Sequence, residues 1–475
     1  MIVKKLLAVS LFLVSTSALA NAHLVIRNTN AAGVGFNDPA PAAPVGGNSG
    51  TTIGQQRLIV FQRAADIWGS LIESKVDIPV DASFASLDCS ATSAVLGQAS
   101  AVTFQRNFEN APQQNVWYPI ALASAIAGKD LASPAGKAHI RAQFNSQLDT
   151  PACLGGIGWY YGLDGVHGSK EDLLVVLLHE LGHGLGFAGV TSGTSGAFFT
   201  SPPLPSVFEQ HMLDLTANAR WSEMTSVQRI TSAINDQKVV WDGASTTTAA
   251  LKFLGGTPTL KITAPTSLVK SYQINTAQFG PKISVAGVNG SVAAAIPNDG
   301  CTTITNPGAI TGRIALVDRG PAGTPCTFVI KVKNAQLAGA TAVIVADNVI
   351  DTIPGMGGTD ATITIPSVGV SMSDGAAIRA AIPTTVTAIL FADTSRLAGA
   401  DTSGHPKLYV PTSLIEGSSM YHFDTSASPN LLMEPNISSD LPVTGVDLTL
   451  NQLFDIGWKP AVISQTGRMA GRRGH

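Results

Sequence analysis

The order of apolar and polar residues along this chain changes rhythm several times, and each rhythm predicts an element. Between Gln55 and Ser74, Leu58, Phe61, Ala65, Trp68 and Ile72 recur at every third or fourth position, with Gln62, Asp66 and Glu73 facing away. That period predicts an amphipathic helix. His23–Asn28 ahead of it reads as a strand, and Val76-Asp77-Ile78-Pro79-Val80 behind it alternates as another. Pro79 has no N–H to give a ladder, which predicts an edge position for its strand. Helices are also predicted for Phe208–Leu215 and Thr225–Ile234. Glycine and threonine then crowd Gly243–Pro258, a boundary signal. Beyond it, Arg313–Gly320 and Thr341–Asn348 are short buried strands with a helix, Cys326–Ala340, between them. Ile365–Ser371 precedes another short helix, and Leu448–Trp458 closes the pattern as a helix ending at Gly457.

One apolar run carries chemistry. Leu173–Leu178 leads into His179-Glu180-Leu181-Gly182-His183, and Ser169 with Asp172 three residues on marks a capping box before it. On a helix, positions i and i+4 share a face, so His179 and His183 can place two imidazoles on one ion. Zinc suits them, since it takes nitrogen ligands and keeps an open position for water in catalytic sites. Glu180, beside the first ligand, is placed to take that water's proton. Gly184 and Gly186 are poor helix residues, so the helix is expected to end there, with Gly186 free to take a positive φ.

Composition narrows the setting. Lys4 and Lys5, a short apolar run from Leu6 to Val14 and the endings Ala18-Leu19-Ala20 and Ala20-Asn21-Ala22 read as a secretory signal peptide, 1–22. That run is too short to span a bilayer, and no later segment has the length, so stable membrane insertion is not expected. The product would act in a secreted, extracellular or periplasmic setting. Charged residues make up 13% of the chain and the net charge is −3, which gives no footprint for nucleic acid. Four cysteines, Cys89, Cys153, Cys301 and Cys326, suggest two disulfides in an oxidising compartment; none has C-x-x-C spacing. Trp117-Tyr118-Pro119 and Trp159-Tyr160-Tyr161 supply aromatic surface for packing or for a cleft, and His211 reads as a surface or helix-packing residue.

His179-Glu180-x-x-His183-x-x-Gly186 resembles the metzincin zinc peptidases. In the short-spacer form of that motif the third ligand comes three residues after the glycine, where this chain has Gly189. Either two protein histidines hold the metal, or the third comes from far along the chain. The segment near 255–394 resembles the protease-associated domain, through Ile314-Ala315-Leu316-Val317-Asp318-Arg319-Gly320, the helix Lys331-x-x-Asn334-Ala335-Gln336-x-Ala338-Gly339-Ala340, Ala342-Val343-Ile344-Val345-Ala346-Asp347-Asn348, and Ile365-Pro366-Ser367-Val368-Gly369-Val370-Ser371. Such domains are inserted into or appended to peptidases, where they influence substrate access or partner binding. Past it, Ser419-x-x-His422-Phe423-Asp424 and Leu432-Met433-x-Pro435 resemble the leishmanolysin-type metzincins, in which an inserted segment separates the two halves of the site.

The resemblance implies an α+β fold: a metzincin-like zinc peptidase domain with a mixed sheet and active-site helix, interrupted by a smaller α/β protease-associated domain. The expected divisions are a signal peptide (1–22), peptidase parts at 23–254 and 395–460, the insertion at 255–394, and a disordered tail at 461–475. It implies one zinc on His179, His183 and His422, Glu180 as general base on a zinc-activated water, and Met433 in a structural turn beneath the metal. His405 is the weaker third ligand, since Pro406 restrains it to an extended surface turn. The domain boundaries favour Cys89–Cys153 and Cys301–Cys326 pairing. The expected function is a secreted zinc metalloendopeptidase acting on proteins or peptides, the insertion binding substrate or a partner protein. The competing readings are a catalytically silent binding or adhesion protein on the same scaffold and a zinc hydrolase for a non-peptide substrate.

Overall fold

In a computed structural model, the described residues are 21–461 apart from 321–325, 351, 359 and 439. The expected signal peptide, 1–22, lies outside them up to residue 20, and the expected tail, 461–475, from residue 462 onward. The chain divides into two compact units, one holding residues up to Ala249 with Lys407–Thr425 and the chain from Asn430, the other Ala250–Pro406 with Ser426–Pro429. The second unit is thus wider than the 255–394 expected from motif positions.

The first unit opens with β1 (Leu24–Asn28), the long helix α1 (Ile53–Leu71), β2 (Ile78–Ala85), β3 (Gly97–Ala101) and β4 (Ile140–Asn145). They form a four-stranded sheet in the order β1-β2-β4-β3, in which only β3 runs antiparallel. β2 is therefore central, against the edge position that Pro79 predicted. Pro79 sits one residue before the pairing with β4 begins, and its carbonyl accepts from His139 at 2.8 Å. The missing N–H faces the end of β4 rather than an established ladder, so no bond is lost.

α1 starts at the N-cap Thr52, whose side chain accepts from the Gln55 N–H. Its buried face is Val60, Phe61, Ala64, Ala65, Ile67 and Trp68; Leu58, expected inside, is exposed. Arg57 is buried in its stead, donating to the Tyr161 hydroxyl and the Gly35 carbonyl. The site helix α2 (Leu173–Leu185) is buried along nearly its whole length. Its N-cap is Asp172, which accepts from Leu174 and Val175; no capping box forms at Ser169, because Glu171–Asp172 already pairs with Trp159–Tyr160 as a short strand. Trp68 donates its indole N–H to the Leu178 carbonyl at 3.1 Å, tying α1 to α2. Gly186 closes α2 at φ 133°, a conformation that disfavours residues with a Cβ.

Further on, Phe208–Leu215 is not helical. Met212–Asp214 is a strand between Ala219–Arg220 and Val239–Trp241. Thr225 does cap a helix, Ser226–Ser232.

The second unit is built on one eight-stranded sheet. Its elements are β5 (Gly256–Ala264), β6 (Lys270–Tyr272), β7 (Asn275–Thr276), β8 (Val288–Ala294), β9 (Ile314–Asp318), α3 (Phe328–Leu337), β10 (Ala342–Ala346), β11 (Ser367–Val370), α4 (Met372–Ala381) and β12 (Thr387–Leu397). The order is β6-β5-β12-β8-β9-β10-β11-β7, with β8 to β11 parallel. One face packs with Ile378 of α4, the other with Val332 and Ala335 of α3. Such two-sided burial is what near-continuous runs like Ala342–Ala346 require.

The first unit ends with α5 (Asp447–Asp455). Cys89 is bonded to Cys153 and Cys301 to Cys326, so each disulfide stays within its unit. Among the described residues, no helix is long and apolar enough to cross a membrane.

Packing of α2 on the sheet gives a test. A Cβ at Gly184 would collide with the Ile140 side chain of β4. Gly184→Ala gains about 1 kcal/mol of helix propensity, but overpacking a rigid core costs about 1–3 kcal/mol, so the clash wins. Thermal melts should show net destabilisation, and in a double-mutant cycle with Ile140→Val the two changes should be coupled, the double variant losing less than the sum of the single ones.

Candidate metal centre

α2 presents His179 and His183 one turn apart on the same face. His422 arrives from the chain after the insertion. The three Nε2 atoms stand 3.2 Å (His179–His183), 3.2 Å (His183–His422) and 3.3 Å (His179–His422) apart. Each ring is fixed from behind by a backbone carbonyl: Nδ1 of His179 donates to Leu432, that of His183 to Phe187 and that of His422 to Ser418, all at 2.7 Å. A carbonyl can only accept, so every Nδ1 carries the proton and every Nε2 a lone pair. Burial pushes His179 down to about 3 and His183 to about 4, and burial with the neighbouring imidazoles pushes His422 well below its ordinary value. All three are neutral at physiological pH.

Three lone pairs facing each other at this range repel, and no hydrogen bond can form among them. A cation between them removes the conflict. Tetrahedral zinc with nitrogen ligands at about 2.0–2.1 Å separates those ligands by about 3.3–3.4 Å, close to the spacing here. The donor set therefore fits a divalent ion of that kind. Among the described residues, this trio is the group of metal-ligating side chains that converges so. His405 does not join it; its Nδ1 meets Asp401 at 3.0 Å. His211 lies 3.3 Å from Asp242 and beside Trp241. Gly189 has no room for a side chain, because Glu209 and Tyr421 fill the space.

Glu180 follows His179 on α2, and its carboxyl group packs against β3. The Ala99 N–H bonds its carboxyl group, and a Cβ at Gly97 would stand 3.0 Å from its Cγ. Burial pushes this carboxyl up to about 8, with the Ala99 bond working against that rise. Met433 is fully buried with its sulfur against Gly182 of α2, directly after the Leu432 carbonyl that holds His179. Of the aromatic runs, Tyr118, Trp159, Tyr160 and Tyr161 are buried and serve packing.

Two carboxylates around this turn escaped sequence reasoning. Asp447 accepts from the Leu432 N–H at 2.5 Å, and Glu434 from the Leu431 N–H at 2.8 Å. Glu209 is a third, fully buried beneath the chain that follows α2. The one sequence signal for any of them was an isolated acid in an apolar context, which also fits a solvated loop.

Residues 288–378 match the family model described as the PA domain, and such a domain is present in this chain. Over 74 residues, 15% of this chain and 8% of the relative, the sequence is 49% identical to ER degradation-enhancing alpha-mannosidase-like protein 3 of Xenopus laevis. It is 33% identical over 128 residues to probable leucine aminopeptidase 2 of Aspergillus fumigatus, covering 26% of this chain and 24% of that one. The chain thus spans a small part of the curated relatives it matches. A zinc aminopeptidase from Bacillus subtilis aligns with 32% of this chain and 37% of its own, at 24% identity and a TM-score of 0.22, too low to indicate a common overall fold.

Glu434 supplies a pH test. Burial raises its carboxyl to about 8 against 4.5 in the open chain. The folded state's preference for the protonated form is fully felt below 4.5 and is lost as pH rises through 8. Glu434→Gln stays neutral, so its melting temperature should match wild type near pH 4 and exceed it by about 2–4 °C or more at pH 8. Equal melting temperatures at both pH values would refute the assignment.

Proposed function

We propose that this chain is a secreted, zinc-dependent endopeptidase of metzincin architecture, closest in motif order to the leishmanolysin type. The observation that carries the reading is the convergence of three neutral imidazole lone pairs, with a buried carboxyl group on the residue next to the first of them. His179, His183 and His422 would hold zinc through Nε2. Bound there, zinc supplies Lewis-acid polarisation of a carbonyl and lowers the pKa of water toward neutral.

The rest falls to the chain's own groups. Glu180 takes the proton of the attacking water and returns it to the leaving amine. Its raised proton affinity suits a base that must give the proton back, and Ala99 holds the carboxyl in place. A divalent ion nearby favours the ionised form, so the base need not stay protonated at neutral pH. β3 is the edge of its sheet and runs past Glu180. An extended peptide laid along that edge would offer an internal bond to the carboxylate, with both peptide ends free. The inserted PA domain is assigned a role in binding protein substrate or a partner.

The relative from Aspergillus fumigatus bears an aminopeptidase name, and the competing reading is removal of residues from a free amino terminus. A peptide blocked at both ends decides: internal cleavage supports an endopeptidase, and cleavage of unblocked peptides alone supports the other.

Glu180→Gln should keep about one zinc per chain and lose roughly 10²–10⁴-fold in turnover. His422→Ala should arrive depleted of zinc and inactive, while His405→Ala should keep both. An active Glu180→Gln protein, or a zinc-loaded His422→Ala protein, would overturn the mechanism.

A further inference from the structure

The chain leaving α2 is held by one carboxylate. Glu209 is fully buried. Its Oε1 accepts from the Val190 N–H at 2.6 Å and the Thr191 hydroxyl at 2.9 Å. Its Oε2 accepts from the N–H and hydroxyl of Ser206 at 2.9 and 2.5 Å. Tyr421 completes the arrangement. Its hydroxyl accepts from the Thr191 N–H at 2.9 Å and donates to the Thr191 carbonyl at 3.0 Å, with Glu209 Oε1 at 3.4 Å. The single phenolic proton goes to the nearer carbonyl, so Glu209 reaches Tyr421 through Thr191.

This network joins the parts of the site that chain connectivity leaves furthest apart. At one end, the segment 187–191 begins with the carbonyl that orients His183. At the other, Tyr421 precedes His422, which lies 239 residues from His183 in sequence. The network occupies the space beside Gly189, where a Cβ would meet Glu209 and stand 2.6 Å from Tyr421. Burying a carboxylate is costly unless its hydrogen bonds are made. Here four donors satisfy it, and the buried guanidinium of Arg229 donates to the Gly196 and Trp221 carbonyls instead. Residue type matters too: a glutamine would turn its NH₂ toward either the Val190 or the Ser206 N–H, donor against donor.

We infer that Glu209 is a positioning residue for the metal centre, fixing His422 against His183 through Thr191 and Tyr421. This rests on the metal reading proposed above. The network does from outside the coordination sphere what a ligand at position 189 would do from within it. It holds the turn after α2 at a set distance from the third imidazole.

The test uses the full chain, stripped of metal, with zinc affinity measured by competition against a chelator and the cobalt(II)-loaded site followed by its visible absorption. Thr191→Val and Tyr421→Phe are mild changes expected to fold; Glu209→Gln is the severe one. Loss of an outer partner typically costs 10–100-fold in metal affinity. A decrease of about tenfold or more is expected in each, with an altered cobalt spectrum. Asp130→Asn serves as the structural control. Asp130 accepts from the Ala132 and Gly136 N–H groups and meets the His139 imidazole, none of which belongs to the network. Its variant should lower the melting temperature and leave zinc affinity and the cobalt spectrum unchanged. Folded Thr191→Val and Tyr421→Phe proteins that bind zinc as wild type does would overturn the inference while the metal reading stands. A wild-type chain with no zinc affinity would overturn the metal reading itself.

Discussion

Three uncharged nitrogen lone pairs aimed at one point form the constraint that the first unit is built around. They repel one another, so packing must hold them together until a cation relieves the strain. The structure holds them with backbone. Each Nδ1 donates to a main-chain carbonyl, of Leu432, Phe187 or Ser418, and no carboxylate shares the task. A carbonyl cannot be re-aimed by a rotamer change; it moves only with its chain. The position of each imidazole is therefore set by the path of a distant backbone segment. Those paths are fixed in turn: by the glycine turn that closes α2, by Asp447 on the Leu432 N–H, and by the Ser418 and Ser419 N–H groups on the Ile415 carbonyl.

The same logic governs the two kinds of polar side chain on α2. His179 and His183 look toward carbonyls supplied from elsewhere in the chain, while Glu180 looks toward β3. Burial acts oppositely on the two chemistries. It keeps the imidazoles neutral and thus free to bind a cation, and it keeps the carboxyl a strong proton acceptor. One apolar helix sets both conditions, which is why His179, Glu180 and His183 interrupt a run otherwise made of leucine, valine and glycine.

This division also explains what could be read from the sequence. Local patterns were legible: the α1 period, the two α2 histidines with Glu180, the glycine at its end, and the strand–helix–strand order of the insertion. The meeting of His422 with the two α2 histidines was legible through motif order alone. Non-local partners were not. Pro79 looked like an edge residue because sequence shows its missing N–H but not where the neighbouring strand begins. Phe208–Leu215 has a helical period, yet pairing with Val239–Trp241 overrides it. Leu58 gave way inside to Arg57 because Asp149 and Tyr161, some ninety to a hundred residues on, neutralise and bond the guanidinium. Glu209 showed only as an isolated acid, since four donors spread over residues 190–206 announce themselves only in three dimensions.

A site split by an insertion of this size demands that the interruption not disturb either body, and the register of strands shows how that is met. In the second unit, the first and last long strands pair antiparallel, with Gly256 opposite Leu397 and the Ala398 N–H on the Gly255 carbonyl. Its entrance and exit therefore lie side by side. In the first unit, Val240 bridges Lys407 and the Leu408 N–H bonds the Val239 carbonyl, so the chain resumes beside the strand it left. Each body closes its own gap with backbone hydrogen bonds. Loop-closure cost grows only slowly with the length of what is enclosed, and here the ends are already together in both bodies. The separation of 239 positions between His183 and His422 is thus a long path in sequence and a short one in space. That is the condition under which a third imidazole from the far side of an insertion can meet the first two within hydrogen-bond range.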